Sequence, residues 1–186
     1  KAYFEWVVFK QICYALKMKR LMEEQMSVQN QLSKNMELIE SYNLMLKEKS
    51  IKDELTGIYN RRGFIEMVTE QLTSPENLGK RAVVVFADMN YLKIVNDRFG
   101  HDEGDFAIKG IANMLKGCFR SSDVVARFGG DEFAAFGFIR GENFESILRA
   151  RMKEIQTEFN VNSNKPFLVT ASIGVYEFRC DETTNL

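Results

Sequence analysis

The stretch Val124-Val125-Ala126-Arg127-Phe128-Gly129-Gly130-Asp131-Glu132-Phe133-Ala134-Ala135-Phe136-Gly137-Phe138 holds two apolar runs divided by a glycine pair. Short runs rich in Val and Phe on either side of such a turn read as the two strands of a hairpin, Val124 to Phe128 and Glu132 to Phe138. Upstream, Ala82-Val83-Val84-Val85-Phe86-Ala87 is continuous and largely β-branched, as expected of a strand buried on both faces, and Asp88 stands where it ends. Asp131 and Glu132 stand at the hairpin turn. If the two strand systems are neighbours, these acids converge.

Working outward, residues 90 to 98 and 104 to 119 read as helices around a loop Gly100-His101-Asp102-Glu103-Gly104. A helix from 142 to 159 and a strand from Phe167 to Phe178 follow. Before the first strand, Thr56-Gly57-Ile58-Tyr59-Asn60 is turn-like and leads into a helical stretch to Leu72, with a loop at Ser74-Pro75-Glu76-Asn77. The order β-α-α-β-β-α-β predicts an α+β fold, a ferredoxin-like antiparallel sheet covered by helices. This domain runs from 53 to 186.

Residues 1 to about 50 contain no glycine or proline and are rich in good helix formers, so the segment 1–52 reads as one long helix. Met18, Gln25, Leu32, Ile39 and Leu46 fall at heptad position a, and Tyr14, Leu21, Val28, Asn35 and Tyr42 at d. So narrow a seam predicts a parallel coiled-coil homodimer rather than a helix lying on its own domain. Gln25 and Asn35 weaken the seam; they set its register or leave it easy to shift.

Composition sets the remaining bounds. The 186 residues are 45% hydrophobic and 27% charged with two prolines, an ordinary globular balance. A net charge of -1 implies no general pull toward nucleic acid or an anionic membrane, so an anionic ligand must be held by local chemistry. Cys13, Cys118 and Cys180 have no paired spacing and predict reduced, mostly buried thiols in a cytoplasmic protein. The run from Ala2 to Leu16 is broken by Glu5, Lys10 and Gln11 and is too short to span a bilayer. The chain opens at Lys1 without a signal-peptide pattern and reads as a piece of a longer protein, which could carry a membrane anchor upstream.

Clustered hard oxygens without histidine or cysteine favour Mg2+ or Mn2+, held by one or two carboxylates together with substrate phosphates. The plainer alternative makes Gly-Gly-Asp a tight turn and Asp88 a helix cap. Four segments decide between them: Asp53-Glu54-Leu55-Thr56-Gly57-Ile58-Tyr59-Asn60-Arg61-Arg62, Asp88-Met89-Asn90-Tyr91-Leu92-Lys93-Ile94-Val95-Asn96-Asp97, Gly100-His101-Asp102-Glu103-Gly104-Asp105 and Arg127-Phe128-Gly129-Gly130-Asp131-Glu132-Phe133. In order and spacing they resemble the GGDEF-domain diguanylate cyclases. With Thr170-Ala171-Ser172-Ile173-Gly174-Val175 as the final core strand, the resemblance covers residues 53 to about 178, a nucleotide-cyclase palm.

The resemblance implies a homodimeric transferase of bacterial signalling that condenses two GTP into cyclic di-GMP and two pyrophosphates. By position, Asp88 and Asp131 become side-chain metal ligands and Met89 a carbonyl ligand, with Asp131 also the proton acceptor and Glu132 a further metal or nearby contact. Asn96 and Asp105 match the guanine-reading positions, where a carboxylate accepts from the N1 and N2 donors, a pair that adenine lacks. Lys93 and the backbone N–H groups around Tyr91 and Leu92 would meet phosphate; the alternative for Lys93 is a solvated surface side chain. His101 matches a substrate-pocket position, or is a structural hydrogen-bonding residue of a Gly-His turn. Gly129 and Gly130 let backbone approach the nucleotide and supply positive φ. Arg120 and Asp123 match the inhibitory site at which product binds; the alternative is an exposed ion pair.

The sequence departs from the family pattern in two places. Asn90 and Leu92 stand where many members have aspartate and phenylalanine; neither position is a ligand. The chain also reaches Leu186 without the basic A-L-Y-x-A-K-x-x-G-R-like helix that holds triphosphate, so this piece is expected to bind GTP weakly. The competing reading is a catalytically weak domain that senses GTP or cyclic di-GMP.

Overall fold

The computed structural model describes residues 2–139 and 141–181, the side chains of 2–5, 7–8 and 43–49 excepted. The seam position Leu46 and the domain's last residues, 182–186, therefore lie outside the described residues. The chain divides into two compact units, Lys1–Lys47 and Glu48–Leu186.

Helix α1 spans Ala2–Ile51 without a break, as a stretch free of glycine and proline allows. In the first unit its seam is exposed: Tyr14 is 70% accessible, Leu32 59% and Ile39 58%. The i,i+4 pairs Lys19–Glu23 and Arg20–Glu24, at 3.8 and 3.5 Å, lie on solvated surface and add little. Among the described residues no helix is long and apolar enough to cross a membrane. Cys13 is exposed, which corrects the expectation of mostly buried thiols, whereas Cys118 is half-buried and Cys180 buried.

The second unit is built on a five-stranded sheet in the order β1-β3-β4-β2-β5, with β1 at Tyr59–Asn60, β2 at Arg81–Met89, β3 at Val124–Gly129, β4 at Glu132–Phe138 and β5 at Ala171–Arg179. Helices α2 (Arg61–Thr73), α3 (Leu92–Phe99), α4 (His101–Cys118) and α5 (Phe144–Asn162) cover it. β2 pairs antiparallel with both β4 and β5, and β3 with β4. β1 runs parallel to β3 through Tyr59↔Ala126 and Asn60↔Arg127. The sheet is therefore mixed, where a wholly antiparallel one was expected. The two residues of β1 are too few to show a strand period, and they sit in a turn whose closing bonds, such as Asn60 Nδ2 to the Lys52 carbonyl at 3.1 Å, come from the end of α1.

The apolar run of β2 is buried on both faces except at Phe86, which is 55% exposed. Val83, Val85, Ala87 and Met89 pack with Ile111, Leu115 and Met152 of α4 and α5. Val84, with Ala134 and Phe136 of β4, packs under Phe64, Val68 and Leu72 of α2. Full burial of each large side chain contributes about 1.5–3 kcal/mol.

Several boundaries differ from expectation, α3 and α5 each beginning two residues later than expected and α5 running on to Asn162. Only Gly100, at φ 94, separates α3 from α4, so His101–Gly104 form the first turn of a helix rather than a loop. Asp102 and Glu103 there suit the positive end of the helix dipole. β5 begins at Ala171 rather than Phe167 because the residues before it bond elsewhere: Asn160 exchanges two bonds with the Val169 backbone, at 2.8 and 2.9 Å. Pro75–Asn77, read as loop, is a single 3-10 turn.

Candidate functional site

Antiparallel register sets Asp88 at the end of β2 opposite Glu132 at the start of β4. One residue further, the Met89 N–H donates to the Asp131 carbonyl at 2.9 Å, so the chain ends of both strands are fixed to each other. Pairing thus brings Asp88 opposite Glu132, with Asp131 the next residue along the chain. Asp88 and Glu132 are exposed and Asp131 half-buried. Between Arg127 and Gly129 the ladder bulges. Gly129 and Gly130 then turn at φ 155 and 51, the region that favours glycine, and a β-carbon on either would meet no atom within 4 Å. Asp88 does not cap the helix that follows, because the N-cap of α3 is Tyr91, in the left-handed region (φ 63), and no side chain caps it.

That uncapped start leaves first-turn amides of α3 to solvent or ligand. Tyr91 and Lys93 are exposed there and Leu92 is half-buried against the core. Asn90, at the position where the family often has aspartate, uses both ends of an amide. It donates to Thr170 Oγ1 at 3.1 Å and accepts from Ser172 Oγ at 2.8 Å, tying the segment after Asp88 to β5.

Asn96 on α3 lies against Gly104 on α4, one residue from Asp105, so the two residues expected to read guanine are neighbours. His101 is exposed at the first position of α4. Arg120 and Asp123 share a turn: the Arg120 N–H donates to Asp123 Oδ2 at 2.8 Å and the Asp123 N–H to the Arg120 carbonyl at 3.0 Å. The carboxylate thus braces the backbone of the turn, and Arg120 is exposed.

Sequence reasoning missed a cluster behind the glycine turn. Arg127 Nε and Nη2 donate to the Gly130 carbonyl at 3.0 and 2.8 Å, while Nη1 pairs with Asp53 at 3.3 Å. Both residues stood in quoted motifs, but 74 positions apart nothing in the pattern joined them.

No three His, Cys, Asp or Glu side chains among the described residues form a closed metal cage. Asp88 and Glu132, opposite each other in the register, with Asp131 the next residue and Met89 at the same strand end, are oxygen donors of the kind that hold Mg2+ or Mn2+ together with phosphate and water.

Residues 50–186 match the family model "Diguanylate cyclase, GGDEF domain". The chain belongs to the GGDEF diguanylate cyclase family. Diguanylate cyclase DgcP of Escherichia coli (strain K12) is 32% identical over 143 residues, which cover 76% of this chain and 42% of that protein. The cyclic di-GMP phosphodiesterase NbdA of Pseudomonas aeruginosa is 31% identical over 153 residues, 82% of this chain and 20% of that one. The chain thus spans less than half the length of these relatives. The crystal structure of the coiled coil and GGDEF domain of DgcB from Caulobacter crescentus, in complex with c-di-GMP, has the same fold, with a TM-score of 0.67 at 22% identity over 79% of each chain. That of diguanylate cyclase SiaD from Pseudomonas aeruginosa, in complex with its activator SiaC, gives 0.66 at 27% identity over 98% of this chain and 70% of that one.

Proposed function

We propose that this chain carries the GTP-condensing unit of a diguanylate cyclase, acting as a homodimer in which each protomer presents one GTP. The bond from Met89 N–H to the Asp131 carbonyl supports this reading most directly, because it sets the two proposed metal-bearing segments side by side. Asp88, Asp131 and the Met89 carbonyl would hold Mg2+ or Mn2+, with Glu132 beside them. When bound, such an ion lowers the pKa of the attacking 3'-hydroxyl and offsets charge at the α-phosphate. Asp131 takes the hydroxyl proton. Lys93 and the amides of the α3 start, around Tyr91 and Leu92, bind phosphate. Asn96 and Asp105 read guanine, with His101 at the pocket edge and the bare turn Gly129-Gly130 allowing close approach. Arg120 and Asp123 bind the product and restrain the enzyme.

The domain boundary at 52/53 and the dimer seam belong to the same proposal: the α1 seam brings two GTP-loaded units together. The test is magnesium-dependent conversion of GTP to cyclic di-GMP and pyrophosphate by the full-length protein, followed by chromatography and a pyrophosphate assay. Binding of GTP without turnover would favour the sensor reading, which the likeness to the phosphodiesterase NbdA keeps in view.

A further inference from the structure

We propose that Arg127 is a positioning residue for Asp131, with Asp53 as its anchor; the inference rests on the reading of Asp131 as a metal-bearing acid. The hairpin ladder does not fix the Gly129-Gly130 turn, because regular pairing ends at Arg127↔Phe133 and resumes after a bulge at Gly129↔Glu132. Two glycines at positive φ offer no side-chain packing of their own. What orients the turn is a pair of bonds from one guanidinium, at 3.0 and 2.8 Å, on the Gly130 carbonyl. That carbonyl belongs to the peptide bond leading into Asp131, and a peptide unit is planar, so holding it sets the position of the Asp131 Cα. On the other side, the Asp131 carbonyl accepts from Met89 N–H at 2.9 Å. Asp131 is therefore gripped from both flanking peptides.

The guanidinium is itself fixed. Its side chain is 13% exposed and its third nitrogen faces Asp53, 21% exposed, at 3.3 Å. Asp53 is held in turn by the Thr56 N–H at 2.9 Å and by a turn bond from Gly57 N–H to its carbonyl at 2.8 Å. A planar fork can serve the Gly130 carbonyl and a carboxylate at once; an ammonium cannot reproduce that geometry. The chain Asp53–Arg127–Gly130 thus carries the placement of the residues just after α1 to the backbone of Asp131.

The test compares Arg127→Gln, Arg127→Lys and Asp53→Asn with the parent by Mn2+ titration, amide hydrogen exchange and steady-state kinetics. Loss of a partner behind a metal ligand typically lowers metal affinity about 10–100-fold, and Arg127→Gln should fall in that range. Exchange at the Met89 amide should quicken about tenfold, while the Val85 amide, deep in the β2–β4 ladder, stays as it was. Arg127→Lys should recover stability but not Mn2+ affinity, and should lower kcat more than it raises KM for GTP. Asp53→Asn should move the same readouts about threefold. Mn2+ affinity and Met89 exchange within twofold of the parent in both Arg127 variants would overturn the proposal, as would a uniform rise along all of β2, which marks a merely structural residue. If Arg127→Gln does not fold, Arg127→Lys alone decides. If the parent neither turns over GTP nor binds Mn2+, the function reading fails, and the contrast between Met89 and Val85 exchange still decides the role of Arg127.

Discussion

The carboxamide of Asn96 occupies the space that a β-carbon on Gly104 would take, with its Cγ 2.9 Å from that point. Glycine at this place in α4 is therefore a seat for a neighbouring side chain. In an exposed helix the exchange to alanine would gain about 1 kcal/mol, so any loss caused by Gly104→Ala reports the seat. GTP affinity should fall about tenfold through displacement of Asn96, roughly the upper end of what one neutral hydrogen bond contributes, while the melting temperature changes little. Calorimetric titration with GTP beside a thermal melt checks both, and unaltered affinity would mean that Asn96 does not touch the base.

Asp131→Ala should reduce GTP condensation at least about 100-fold, since it removes a metal ligand and the proton acceptor together. The hairpin should survive, because the Met89 bond runs to the backbone of residue 131 and not to its side chain. Cyclic di-GMP formation is the measurement, in the full-length protein; activity within threefold of the parent would remove Asp131 from the mechanism.

Asp105→Ala should weaken GTP binding and narrow the preference over ATP. A guanine donor left unpaired costs about 1–3 kcal/mol, roughly 5- to 150-fold. Competition between the two nucleotides measures it, and an unchanged ratio would place guanine reading elsewhere.

Charging the exposed seam with Leu32→Glu and Ile39→Glu should separate protomers by placing like charges across a heptad interface. Turnover should then fall on dilution and become second order in enzyme, while GTP bound per chain holds. Ultracentrifugation alongside a dilution series of activity tests this. Parent-like rates at every concentration would show that the seam does not join the catalytic pair.

Burial pushes the thiols of Cys118 and Cys180 above the ordinary cysteine range, against the opposing pull of Arg151 on the first and Lys80 on the second. A raised pKa means less thiolate at neutral pH and slower alkylation. Cys13, exposed on α1, should take up iodoacetamide at pH 7.5 about tenfold faster or more. Peptide mapping over time would reveal equal rates if the buried assignments are wrong.

The elements legible in the sequence are those whose signal is local. The β2 run, the Gly-Gly hairpin and the unbroken α1 each state their structure within a dozen or so residues, and the acids follow because strand ends carry them. β1 was not legible: two residues show no alternation, and their partner lies beyond β2. The α3–α4 corner was read as a loop because Gly100 and Gly104 look alike in sequence. One turns the chain at φ 94, while the other makes room for Asn96. Arg127 escaped because its work is done on a backbone carbonyl, and no residue type marks that partner.

The bonds of Asn90 have a consequence for how the protein is made. Its amide reaches Thr170 and Ser172, 80 and 82 residues further along the chain, and β2 pairs with β5 across a similar span. Emerging from the ribosome, β2 can find β4 early but must wait for β5, so its long apolar edge stays open while some 80 further residues are made. The segment carrying Asp88 is fixed only when β5 arrives. Translation that stops short of residue 170 should yield chains without an ordered metal-binding loop, and their open strand edge makes them clients for chaperones.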